Sequence, residues 1–205
     1  MTSPDSIIGF WFGEAFLARN GGDADRALET RSKSWWAKDP ALDAEVKRRF
    51  EPALAAAGRG ELDSWLAHPR SRLALILLTD QFSRNMYRGR AKAFAFDHLA
   101  CRWCRTGLVA KLDTRLQPLE RAFFYMPLEH AESLPAQERS VALFEGLVTR
   151  VPEEQKSEFG KFAEFARRHR DIVARFGRFP HRNSLLKRRT TAAEQAFLKK
   201  PGSSF

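Results

Sequence analysis

Three polar stretches of this 205-residue chain hold residue types that could do chemistry: Thr79-Asp-Gln-Phe-Ser-Arg-Asn85, Tyr125-Met-Pro-Leu-Glu-His-Ala-Glu132 and Arg175-Phe-Gly-Arg-Phe-Pro-His-Arg-Asn183. The third is the most specific. Gly177 permits a left-handed turn and Pro180 stiffens the connector, so Arg178, His181, Arg182 and Asn183 are held on a short rigid loop, where several donors suit an anion. The alternative is structural, with these arginines capping helix carbonyls or pairing with Glu129 and Glu132. In the first stretch Asp80 precedes Arg84 by one turn and an i,i+4 pair is expected, with Asn85 beside it. Polar groups that follow directly on an apolar run must pair with each other or with a ligand.

The second stretch sets Glu129 and Glu132 around His130, a pattern that could tune a general base. It lacks the i,i+4 histidine pair of a helical zinc protease and offers no third ligand, so no metal site and no cofactor are expected. His169-Arg170-Asp171 spells a kinase catalytic tripeptide, but it falls mid-helix with no glycine-rich loop in the chain, so the match is accidental. Cys101 and Cys104 form a CxxC within a helical pattern and have no second pair, which reads as two packing thiols.

The net charge is +10, and residues 167–189 account for most of it, with nine Lys and Arg against one acidic residue. Such a stripe could meet phosphates, line a pocket for a small anion, or form a solvated helix face. No helix-turn-helix, zinc-finger or RNA-motif signature accompanies it, which argues against nucleic acid. The longest apolar run, Leu73–Leu78, is too short to cross a bilayer, and the amino terminus lacks the basic region of a secretory signal. No membrane association and a cytoplasmic setting are expected.

The elements that must position these residues all read as helices. Ser3-Pro4-Asp5 is a start signal for a helix over about 4–17. Further helical periodicity covers about 24–37, ended by Asp39-Pro40, and then 42–57. A short helix at Leu62–Leu66 is stopped by His68-Pro69. Leu73–Phe82, apolar on every side, reads as the central helix. Patterns follow at 94–107, at 116–127 with Pro127 as its end, at 136–149, and from Pro152 to a C-cap at Gly177. Thr191-Ala-Ala-Glu194 is a capping box for a last helix ending near Lys200. No segment alternates as a strand does. The expected architecture is a single all-α domain over 1–205, built of stacked antiparallel helical hairpins without a legible repeat period.

The motifs in this order resemble a bacterial family known as domain of unknown function 924, placed in the tetratricopeptide-like superfamily. The resemblance rests on Phe10-Trp-Phe-Gly13, Trp35-Trp36 with Asp39, Leu73 to Asn85, Pro127 to Glu132, and Phe176 to Asn183. It implies a degenerate tetratricopeptide-like array and carries no activity, substrate or cofactor. Ser83, Ala131 and Lys187 stand where the family usually has proline, serine and glycine, which puts in doubt a site needing a hydroxyl at 131 or close backbone approach at 187.

The leading functional expectation is a pocket for a small anionic molecule, in which enzymatic use remains open, bound by Asp80, Arg84, Asn85, Glu129, His130, Arg178, His181, Arg182 and Asn183. His130, His181 and Glu129 are its candidate proton-transfer groups. The rivals are a protein-interaction module presenting a groove to a partner, and nucleic-acid binding through 167–189.

Overall fold

The computed structural model describes residues 2–18 and 24–204, and among them every regular element is helical. The turn expected at Asn20-Gly-Gly lies outside the described residues. Eleven α-helices are found among those described: α1 (Pro4–Phe12), α2 (Glu14–Ala18), α3 (Ala24–Trp36), α4 (Pro40–Gly58), α5 (Pro69–Leu77), α6 (Ser83–Met86), α7 (Asp97–Val109), α8 (Pro118–Glu129), α9 (Leu134–Val148), α10 (Glu153–Phe176) and α11 (Ala192–Leu198). Short 3-10 turns at 63–67, 91–94, 112–115 and 180–182 link them.

Local chemistry sets several boundaries. Ser3 and Ser6 close a capping box at the start of α1, and Asp39 accepts from the amides of Ala41 and Leu42 at 2.9 and 3.2 Å to start α4. Gly13, at φ 99°, splits the helix expected over 4–17 into α1 and α2. The expected helix at Leu62–Leu66 is a 3-10 turn, Asp63–Ala67. Gly177, at φ 70°, ends α10 as its left-handed cap. Lys187 adopts φ 53°, the left-handed region in which a glycine would carry no strain.

Two expectations about the centre need correction. Pro127 does not end a helix: α8 runs through it, and Glu129 is its last residue with His130 as the cap. Proline removes one intrahelical donor at a cost of about 3 kcal/mol, which is tolerated here because Ala122–Leu128 is buried on every face. Nor does one helix run from Leu73 to Phe82. α5 stops at Leu77, and Leu78–Phe82 forms a π-helical turn before α6 resumes the α-helical course. Inserting a wider turn rotates the side chains that follow, and such bulges often coincide with functional sites.

α5 occupies the middle. Leu73–Leu78 are fully buried, and α1, α7 and α8 pack around α5, while α4 packs on α6 and the π-turn. An aromatic cluster joins the amino-terminal helices to this core: Trp35 and Phe123 lie 4.8 Å apart between centroids, Phe12 and Phe123 5.3 Å, Trp11 and Phe82 5.4 Å. The Trp35 indole donates to the Trp11 carbonyl at 2.9 Å. Each such side chain contributes about 1.5–3 kcal/mol by burial. Arg72 pins α5 to its neighbours, donating to the carbonyls of Leu66 and Trp103 at 2.7 and 2.8 Å. α9 packs along both α8 and α10. A smaller apolar group, Ile172, Val173 and Phe179 with Phe176 and Phe197, fastens the segment after α10 back onto that helix.

Candidate functional site

The π-turn, the end of α8, the middle of α10 and the 3-10 turn at 180–182 bring their polar side chains together. Asp80 is the hub. Only 1% of it is exposed, it accepts from the Gln81 side-chain amide at 2.6 Å and from His130 Nδ1 at 2.8 and 2.9 Å, and it forms an ion pair with Arg84 at 3.0 Å. Burial opposes its charge, but Arg84 and His130 more than offset that and hold the carboxyl well below the usual range. Arg84 also donates to the Asp80 carbonyl at 2.8 Å and grips both oxygens of Asp97 at 3.0 Å. The i,i+4 pair expected from sequence is therefore present, across the π-turn.

Arg182 joins from the 3-10 turn at 180–182. Its guanidinium lies between the rings of Phe94 and Phe179, 4.7 and 4.5 Å from their centroids, and reaches Asp97 at 3.4 Å. The side chain is buried, and its Nε has no hydrogen-bond partner among the described residues. Burial first, and the Arg84 charge second, bring its pKa down to about 10. His181, next in the turn, is pushed down to about 4 by burial and the neighbouring Arg182.

Glu129, His130 and His169 form the adjoining wall. Glu129 is pushed up to about 8 by burial, with the Asp80 charge adding to the effect. Burial lowers His130 more than Asp80 raises it, so a neutral imidazole faces an ionised aspartate. His169 Nδ1 lies 2.8 Å from the Phe165 carbonyl and 3.1 Å from Glu129 Oε1, and burial lowers it well below the ordinary histidine value. One donor atom from each of Glu129, His130 and His169 lies within 4.8 Å of the others.

The structure thus brings together Asp80, Arg84, Glu129, His130, His181 and Arg182 of the nine residues expected to share a site. The other three spend their polar atoms elsewhere. Asn85 donates to Asp43 at 2.7 Å, and Arg88 holds the same carboxylate. Arg178 grips both oxygens of Glu194 at 2.7 and 2.9 Å and caps the Arg189 carbonyl, securing the start of α11. Asn183 receives Arg188 at 3.0 Å and donates to Thr190 at 3.4 Å. Glu132 is held by Arg188 and accepts the Phe179 amide at 2.8 Å, fixing the loop and not entering the cluster.

Sequence reasoning missed His169, Asp97, Phe94 and Phe179. His169 had a usable signal: three residues after Ala166 and three before Ile172, it falls on the apolar stripe of α10, where an imidazole faces inward. Asp97 and Phe94 gave none, because they follow a loop whose path only tertiary packing fixes. Cys101 and Cys104 are unpaired thiols, and burial raises both, as packing residues require. Two surface hollows, of about 510 and 300 Å³, lie over α7 and between α1–α2 and α3, and neither includes a residue of the cluster.

A protein helical throughout its described residues, with a buried polar centre, is the class these features define. The chain belongs to the family described as bacterial protein of unknown function (DUF924), whose model matches residues 7–202. It is similar to the solved structure of ATU0120, a protein of unknown function from Agrobacterium tumefaciens, at 38% identity and a TM-score of 0.75, with 96% of each chain covered. No curated protein matches.

Proposed function

We propose that this protein binds a small anionic molecule, of the carboxylate or phosphate class, at the face of the polar cluster formed by Arg182, His181 and Arg84. The carrying observation is the state of Arg182. A guanidinium buried between two aromatic rings, with Nε unpaired and its one carboxylate contact as long as 3.4 Å, is poorly compensated. Burying such a cation costs free energy that a bidentate anion recovers. The pKa of Arg182, lowered by burial first and by the Arg84 charge second, points the same way.

A stacked-hairpin, tetratricopeptide-like arrangement and a cytoplasmic setting belong to the same reading. The consecutive packing of α8, α9 and α10 supports the first. No helix among the described residues is long and apolar enough to cross a membrane. The protein-interaction alternative draws less support, because the exposed large apolar residues, Trp36, Val109, Leu134 and Phe165, sit on four different helices. Nucleic-acid binding is weakened by the engagement of Arg167, Arg170, Arg178, Arg182 and Arg188 with Glu145, Asp171, Glu194, Asp97 and Glu132.

Thermal-shift titration with phosphate, sulfate and short dicarboxylates, in EDTA, tests the anion reading. At least one should raise the melting point of the wild type and fail to raise that of Arg182→Met. Equal shifts in both proteins, or none in either, would end this reading.

A further inference from the structure

We propose that Glu129, His130 and His169 form a binding site for one divalent transition-metal ion of the zinc class, with a coordination position left for an outside ligand. The last turn of α8 supplies Glu129 and its cap His130, and the buried face of α10 supplies His169, a donor forty residues away in sequence. Their ligand atoms lie within 4.8 Å of one another. Metal–ligand bonds of about 2.0–2.2 Å at a tetrahedral angle require donors roughly 3.4 Å apart. Side-chain rotations that shorten these separations, from at most 4.8 Å to roughly 3.4 Å, close the set around an ion.

The outer contacts fit the assignment. His130 Nδ1 faces both oxygens of Asp80, which can only accept, so Nδ1 carries the proton and Nε2 the lone pair. His169 Nδ1 faces the Phe165 carbonyl, which can also only accept, and this orients the second ring. A carboxylate behind one imidazole and a backbone carbonyl behind the other are the supports that metal-binding histidines characteristically have. Two imidazoles and one carboxylate suit zinc or another first-row transition ion and not magnesium or calcium, which take oxygen ligands.

This goes beyond the anion reading and does not depend on it, because the ion uses α8 and α10 whereas the anion uses Arg182 and Arg84. Protein stripped with EDTA and dialysed into metal-free buffer should take up one Co²⁺ per chain, with the visible absorption of a four- or five-coordinate ion, and Zn²⁺ should displace it in calorimetric titration. Glu129→Gln keeps the shape of the side chain and should weaken Zn²⁺ binding by more than the roughly 10–100-fold that loss of an outer-shell partner costs. His169→Ala should abolish it, with folding checked by circular dichroism. Absence of a saturable one-to-one site in the wild type, or unchanged affinity in Glu129→Gln, would overturn the proposal. Anion shifts recorded in EDTA are unaffected by either result, so the two readings fail separately.

Discussion

A guanidinium stacked between two phenyl rings keeps its flat faces dry, while its edge donors still need acceptors. At Arg182 those acceptors are few, and at Asp80 the reverse holds, with Gln81, His130 and Arg84 all directed at one buried carboxylate. Removing the charge of Asp80 leaves Arg84 short of an anionic partner and His130 without its anchor. Asp80→Asn should therefore lower stability by about 3–5 kcal/mol in urea unfolding, the range for a buried ion pair that loses one member. His181 gives a pH prediction. Its folded pKa, about 4, lies below the ordinary 6.5, so the unfolded chain takes up a proton first as pH falls. The stability due to burying the neutral ring is complete above about pH 6.5 and is lost as pH drops toward 4. NMR titration of the imidazole should show it neutral at pH 5, and His181→Phe should flatten unfolding stability over pH 4–6.5.

Helix ends carry the next level of specification. Gly177 holds a left-handed cap with open space around it, so Gly177→Ala tests conformation alone and should cost about 1–2 kcal/mol. Lys187 shows the converse, a side chain held at φ 53°. Lys187→Gly relieves that strain against a loss of about 0.5–1 kcal/mol in chain entropy, and thermal unfolding should show a gain of up to about 1 kcal/mol. The π-turn at Leu78–Phe82 is the element with most consequence for function, since it aims Asp80 at His130, the cap of α8, and Arg84 at Asp97, the start of α7.

Across the whole molecule, the site depends on helices crossing closely enough to bury it. α7 meets α8 and α5 at Gly107, where an added Cβ would lie 2.5 Å from Phe124 Cζ and 2.9 Å from Arg72 Cδ. Gly107→Ala should therefore destabilise by about 1–3 kcal/mol through overpacking, read as a lowered midpoint in chemical denaturation. α7 also brings Asp97, the carboxylate that Arg84 and Arg182 share, and α10 brings His169. Packing that separates these helices would take Asp97 away from Arg84 and Arg182 and Glu129 away from His169.

What the sequence determined by itself was whatever depends on neighbours along the chain. Helical periodicity, the Ser3 and Thr191 caps, the Gly177 cap and the apolar Leu73–Leu78 core all follow from side chains within a turn or two of one another. The same locality made Asp80–Arg84 legible as a pair. Tertiary structure alone decided which polar residues meet. Arg178 and Asn183 neighbour Arg182 in sequence, yet they face Glu194 and Thr190, because one residue of rotation around a turn sends side chains to different partners. Pro127 reads locally as a stop, but burial on every side of α8 outweighs one missing hydrogen bond and carries Glu129 inward. Asp97 and His169 join the cluster from 13 and 40 residues beyond Arg84 and Glu129, and pairings at that distance are set by packing energies spread over the whole core, which no local pattern records.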